Sequence, residues 1–214
     1  MNRTPDVILP EAPSLLPAEA VFGMRVERLG PIRAEEFENW SQGEEDPLEL
    51  IERWLLPMTP GTYSRGHTLG QLCFVLSPLV RERGWSMSLD ARHRLPRPPD
   101  TVVFPDLVIH CAAEVILMPG TETVARVPDI VVEVLGRETA ERDRAPHGAK
   151  FLAYQMSGVQ EHYCAWPDGR EATGFHLREG RFAAAPREPD GFFASPLLGA
   201  ALGLVPAALR RPGT

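Results

Sequence analysis

Two hydrophobic periods alternate along the chain and predict its elements. In "HTLGQLCFVLSPLVRERG", apolar residues stand at 69, 72, 73, 76, 79 and 80. Steps of three and four residues predict a helix from His67, kinked at Pro78 and stopped near Gly84. Before it, "RAEEFENW" (33–40) reads as helix, "GEEDP" as a break and "TPGTYSRG" as a turn cluster. After it the period shortens. "WSMSLDARHRL", "TVVFPDLVIHC" and "PDIVVEVL" read as strands, the last two joined through a Pro-Gly turn in "AAEVILMPGTETVARV". "AKFLAYQMSG" returns to helix, with Pro146 near its start and Gly158 at its end. "VQEHYCAWP", "EATGFHLREG" and "RFAAAP" are strands separated by Asp-Gly and Glu-Gly turns. The tail "FFASPLLGAALGLVPAALRR" reads as a turn and a short helix. Residues 1–30, rich in Pro and Ala, read as an N-terminal arm with a short strand at "MRVERL"; residues 31–214 read as one domain. The order helix, strands, helix, strands predicts an α+β or mixed α/β layer fold.

One residue conflicts with this pattern. "VPDIVVEVL" (127–135) is apolar enough to be buried on both faces, yet carries Glu133 at its centre. Burying an ionised carboxylate alone costs several kcal/mol, so a partner is required. Asp129, four residues back on the same strand, would sit roughly 13 Å away, too far to share one cation. Asp106 lies on the preceding strong strand and would face Glu133 if the two strands pair. Facing carboxylates share a proton or hold a hard cation such as Mg²⁺. The alternative is a carboxylate satisfied by Arg or backbone N–H groups.

Composition narrows the chemistry. Hydrophobic content is 43% and no apolar run approaches the roughly 18 residues of a membrane span, so a soluble, cytoplasmic protein is expected. The N-terminus, with one Arg among prolines and acids, makes a poor signal peptide. Three cysteines (Cys73, Cys111, Cys164) without a CxxC pair read as reduced core residues. A net charge of −7 argues against a wide basic face for nucleic acid, though not against a local groove. Arginines cluster at Arg92, Arg94 and Arg97 and at Arg137, Arg142 and Arg144, and solvated loops account for either cluster taken alone. Of 22 cationic residues a single one, Lys150, is lysine. Arg is a planar fork that stays charged and Lys a compact donor, so the surviving Lys invites a chemical reason. No G-x-S-x-G, GxGxxG, P-loop or H-E-x-x-H motif is present, and the six histidines show no ligand spacing.

"PDLVIH", "PDIVVEVL", "DRAPHGAKFLAY" and "SGVQEHY" follow one another as in the Uma-type restriction endonuclease family, of the PD-(D/E)XK nuclease superfamily. "EFENW", "LELIERWLLPMTP" and His67 resemble its N-terminal half and "FFASPLLGAALGL" its end, over about residues 33–205. The resemblance implies a restriction-endonuclease-like core, a mixed central β-sheet flanked by helices. It matches Asp106 to the PD aspartate, Glu133 to the acid of the (D/E)XK strand, and Lys150 to a lysine moved to the following helix. Leu135 stands where the lysine of the usual motif would be. Glu49 matches an N-terminal acid that adds to the metal site. The chain departs from the family at Gly136-Arg137, usually Ser-Pro, and in the long Asp143-to-Lys150 spacing. It departs again at Arg53-Trp54, where a Gly near Glu52 is usual.

The resemblance thus implies a metal-dependent endonuclease of nucleic acid, with DNA the favoured reading over RNA. Asp106, Glu133 and the backbone carbonyl of Val134 would bind Mg²⁺ or Mn²⁺, with Lys150 orienting the attacking water. Tyr154, one turn beyond Lys150, is expected to pack rather than to contact substrate. His67, His147 and Asp143 are expected to be structural or solvent-facing. Two-fold symmetry suits cutting two strands, so a homodimer is the implied assembly, with apolar residues of the N-terminal arm as its hint. The rival readings are a non-catalytic nucleic-acid-binding or protein-interaction module on the same fold, and a metal-dependent hydrolase of a small substrate.

Overall fold

Proline has no N–H to give a ladder, so a strand pattern containing one is expected to break there. "TVVFPDLVIHC" does so at Pro105, and the break organises the fold. A computed structural model describes residues 32–39, 48–58, 61–136, 148–168 and 171–211. The N-terminal arm, including "MRVERL", lies outside them. In chain order the elements begin with α1 (Ala34–Asn39), the hairpin β1 (Leu48–Ile51) and β2 (Trp54–Pro57), and α2 (Tyr63–Glu82). Strands β3 (Ser86–Leu89), β4 (His93–Leu95), β5 (Thr101–Val103), β6 (Leu107–His110) and β7 (Ile130–Val134) follow. Then come α3 (Ala149–Ser157), β8 (Glu161–Ala165), β9 (Ala172–Arg178), β10 (Arg181–Ala184), β11 (Phe193–Ser195), β12 (Ala200–Leu204) and β13 (Ala207–Arg210).

β5 belongs to a four-stranded sheet of order β2-β1-β5-β4, whereas β6 belongs to a six-stranded sheet of order β10-β9-β8-β7-β6-β3. The six-stranded sheet is mixed: β7 and β8 run parallel across the α3 crossover, and the other neighbours are antiparallel. Alternation along its strands decides its two faces. Leu107, Ile109, Ile130 and Val132 pack with Leu69, Leu72, Leu76 and Leu79 of α2. Val108 and Val131 pack with Ala149, Ala153 and Tyr154 of α3. The result is the expected α/β architecture, a mixed central sheet flanked by helices.

Two local expectations need correction. The helix α2 begins at Tyr63, not His67, because Thr62 caps it by accepting from the Arg65 N–H at 3.3 Å. Its first turn faces solvent at most positions, so apolar periodicity does not register it. The helix continues through Pro78 to Glu82, and Gly84, at φ 64°, follows its end as expected. The tail is not a helix but an antiparallel meander, β11-β12-β13. Its alanines favour helix, but Phe193, Leu198, Leu202 and Leu204 bury against the α2 side of the core, and that burial outweighs propensity. A buried carboxylate, Glu161, ties the meander down. It accepts from Ser195 Oγ at 2.5 Å, Tyr163 Oη at 2.8 Å and the Leu197 N–H at 2.8 Å.

Candidate active site

The cluster around Glu133 forms where the chain leaves one sheet for the other. Leu107 pairs with Val132 and Val108 with Val131, so extending the ladder by one step sets Asp106 opposite Glu133. The β3–β6 register extends in the same way: Leu89 pairs with Leu107, and Asp90 comes opposite Asp106. Asp90, Asp106 and Glu133 therefore occupy one rung across three neighbouring strands, about 4.8 Å apart strand to strand. Glu49 approaches from β1 of the other sheet, beside Phe104.

Lys150 joins the two sheets at this point. It sits in the first turn of α3 with its side chain almost fully buried. Its Nζ lies 2.8 Å from Glu49 Oε1 and 3.0 Å from Glu133 Oε1, and donates to the Phe104 carbonyl at 3.3 Å. An ammonium has three N–H groups, and these three acceptors match them. Glu49 Oε1 also accepts from the Phe104 N–H at 2.7 Å. Tyr154, one helical turn after Lys150, donates from Oη to Glu133 Oε1 at 2.6 Å and is fully buried in the α3-side core. The expectation that it packs holds, with the addition that its hydroxyl holds Glu133.

Asp106 has different partners. Its Oδ2 accepts from the Val134 N–H at 2.5 Å, and its Oδ1 from Arg65 at 2.5 Å (Nη2) and 3.2 Å (Nε). The same Nη2 reaches Asp90 Oδ1 at 2.5 Å. Burial, the largest influence on Asp106, lifts its carboxyl above the usual range against the pull of Arg65, Lys150 and the Val134 N–H. Burial pulls Arg65 the other way, but Asp106 and Asp90 together hold the guanidinium still more firmly charged than usual. Four carboxylates (Glu49, Asp90, Asp106, Glu133) thus surround two cations (Lys150, Arg65), leaving a formal charge of −2 among these groups.

Those oxygens suit a hard divalent ion. Mg²⁺ is commonly held by one or two carboxylates, with water and substrate completing its shell. Asp106 and Glu133 on adjacent positions of one rung supply two, and the Val134 carbonyl lies next along β7. Among the described residues no group of three His, Cys, Asp or Glu side chains is arranged to hold a metal. The two acids are instead each engaged by a protein cation. A two-carboxylate site fits the donor chemistry; a ready-made three-ligand cluster is not formed.

Arg65 and Asp90 escape sequence reasoning. "YSRG" reads as a turn, and Asp90 stands in a loop between strand patterns. The four matched positions Glu49, Asp106, Glu133 and Lys150 do come together, with Val134 next to Glu133 along β7. Of the other candidates, the one described, His67, does not join them. His67 is exposed on α2, stacked on Tyr63. Asp143, His147, Pro146, Arg137, Arg142 and Arg144 lie outside the described residues. Arg92 and Arg94, expected in a solvated loop, are partly buried and clamp α1: Arg92 donates to the Glu38 carbonyl and Arg94 pairs with Glu35 and Glu38. His93 and His110, far apart in sequence, stack in the core with their Nε2 atoms 3.1 Å apart. The three cysteines are free, Cys164 buried and the others half-buried. No described helix is long and apolar enough to cross a membrane. Surface hollows lined by Ser195 and Arg210, and by His67, Phe74 and Pro206, share no residue with the carboxylate cluster.

Comparison with known proteins bears on the arrangement. A crystal structure titled as a putative nuclease belonging to DUF820, from Anabaena variabilis, is similar with a TM-score of 0.64 and 17% identity. The match covers 78% of this chain and 91% of that one, a likeness of fold. A search of curated proteins finds no match. Residues 34–205 match the family Uma2, described as "Putative restriction endonuclease". That span holds Glu49, Asp106, Glu133, Val134 and Lys150, and the chain belongs to this family.

Proposed function

We propose that the chain is a Mg²⁺- or Mn²⁺-dependent endonuclease that hydrolyses phosphodiester bonds of nucleic acid, with DNA favoured over RNA as the reading of its substrate. The observation that carries this reading is the buried Lys150 ammonium spanning Glu49 and Glu133 on the rung that also holds Asp106. A lysine beside two acids where two sheets meet is the equipment for positioning water and stabilising charge on a phosphoryl group.

Asp106, Glu133 and the Val134 carbonyl would hold the ion, with Glu49 adding negative charge through Lys150. Bound there, the ion lowers the pKa of a water and neutralises charge on the phosphoryl oxygens. The N–H that Lys150 directs at Glu133 would be released once an ion takes that carboxylate, and would then orient the attacking water and steady the transition-state charge in a water-poor site. Glu49 and the Phe104 carbonyl keep the ammonium in place, so little reorganisation accompanies the reaction. Tyr154 fixes the orientation of Glu133 from the core side. In the same reading residues 31–214 form one endonuclease domain behind the N-terminal arm, working as a homodimer in the cytoplasm.

Incubation of supercoiled plasmid and single-stranded DNA with the purified chain in Mg²⁺, Mn²⁺ or EDTA tests the proposal. Metal-dependent cleavage that disappears in Glu133→Gln and Lys150→Ala is expected. Cleavage surviving in both variants would place the activity elsewhere. Folded protein that binds DNA and cuts none of it under any condition would return the chain to the non-catalytic module.

A further inference from the structure

Asp106 is held asymmetrically. Its Oδ2 is fixed by a backbone donor, the Val134 N–H, within the sheet. Its Oδ1 is held only by the Arg65 fork among the contacts described for it, and Arg65 comes from another element, the first turn of α2. The guanidinium lies 2.5 Å from Oδ1, so an ion that took that oxygen would meet it at close range. Two cations cannot share one carboxylate oxygen at contact distance without strong repulsion. An alternative seat for the displaced guanidinium is already in place. Asp90, one strand over on the same rung and half-exposed at 48%, accepts from the same Nη2 at 2.5 Å.

Resting on the metal reading of Asp106 above, we propose that Arg65 is a positioning residue that serves as a resident cation: it occupies Asp106 until a divalent ion arrives, and is then taken over by Asp90. Metal affinity in this chain is therefore set by a competition, with Arg65 opposing loading and Asp90 favouring it. The planar fork suits the task because it can turn between two acids one rung apart without leaving the site. Asp90, although exposed, acts through Arg65 rather than as a ligand.

The test is calorimetric titration of Mn²⁺ into the full chain at fixed pH and ionic strength, without nucleic acid, so that binding is read apart from activity. Arg65→Gln is expected to bind Mn²⁺ at least tenfold more tightly than the unaltered chain, and Asp90→Asn at least threefold more weakly. A general charge effect would also give these signs, so the double variant decides. If Asp90 acts by receiving Arg65, Asp90→Asn changes nothing once Arg65 is Gln. An undiminished weakening there would overturn the proposal. Equal or weaker binding by Arg65→Gln would overturn it too, while leaving the metal reading standing. No Mn²⁺ binding by either the unaltered chain or Arg65→Gln would overturn both. Binding by Arg65→Gln alone would be the strongest support. Should Arg65→Gln fail to fold, Arg65→Lys keeps the charge but loses the fork, and a threefold or greater gain in affinity is expected of it.

Discussion

Replacing Lys150 with Met would keep the aliphatic stem packed under α3 while removing the ammonium. The perturbation leaves Glu49 and Glu133, both essentially inaccessible to water, without a cation 2.8 and 3.0 Å away. It also removes the donor to the Phe104 carbonyl. Breaking a buried ion pair from one side costs about 3–5 kcal/mol, because the remaining charge stays desolvated. Two acids lose their partner here, which places the expected loss at the upper end of that range. With a urea m-value of about 3 kcal/mol/M, the unfolding midpoint falls by roughly 1–1.7 M. The discriminating variant is the double one. Glu49→Gln with Lys150→Met removes one negative charge together with the positive one and should restore about 2 kcal/mol relative to Lys150→Met alone. Equilibrium urea unfolding followed by circular dichroism supplies the cycle. A cost below about 1 kcal/mol for Lys150→Met, or a coupling energy indistinguishable from zero, would refute the pairing on which the site rests.

Three further outcomes are expected. Tyr154→Phe removes a hydrogen bond to a charged, buried carboxylate and should lower stability by about 1.5–3 kcal/mol without altering the fold, read from the thermal midpoint. His93 is buried, and burial followed by the neighbouring His110 holds its pKa down at about 4 against an ordinary 6.5. A depressed folded-state pKa makes stability complete above about pH 6.5 and progressively lost toward pH 4, by on the order of 3 kcal/mol, a slope that His93→Gln should flatten in a series of denaturation curves. Glu179 at φ 50° and Gly180 at φ 76° form the two-residue loop of the β9–β10 hairpin, which favours Asn-Gly, so Glu179→Asn should raise the unfolding free energy by about 0.5–1 kcal/mol.

The parts of the site legible in the sequence are those where residue type contradicts its surroundings. Glu133 stands out because an acid within "IVVEV" has no cheap explanation, and Lys150 because arginine serves everywhere else. Asp106 faces Glu133 on the condition that their two strands pair, and β6 and β7 do pair in that register. Arg65 and Asp90 could not be found this way. An arginine in an arginine-rich chain and an aspartate in a loop are ordinary, and only the packing of α2 against the β3–β6 edge brings them to Asp106. The same limit explains the tail, where local alanine content favours helix and the exposed flank of the core decides for strands. At the β1–β2 turn, Glu52 and Arg53 take positive φ, a conformation that glycine adopts most readily. Arg53 is held there by Asp100, which accepts from its Nε at 2.6 Å and, through the backbone carbonyl, from its N–H at 3.1 Å. Tertiary contacts compensate for a turn residue that local preference disfavours.

The most direct test of the central claim is anomalous diffraction from a crystal of the chain equilibrated with Mn²⁺. The account predicts a peak between the carboxylates of Asp106 and Glu133, within coordination distance of the Val134 carbonyl and with Lys150 still beside Glu133. A peak elsewhere on the molecule, with Asp106 still held by Arg65 and Glu133 by Lys150 and Tyr154, would contradict it.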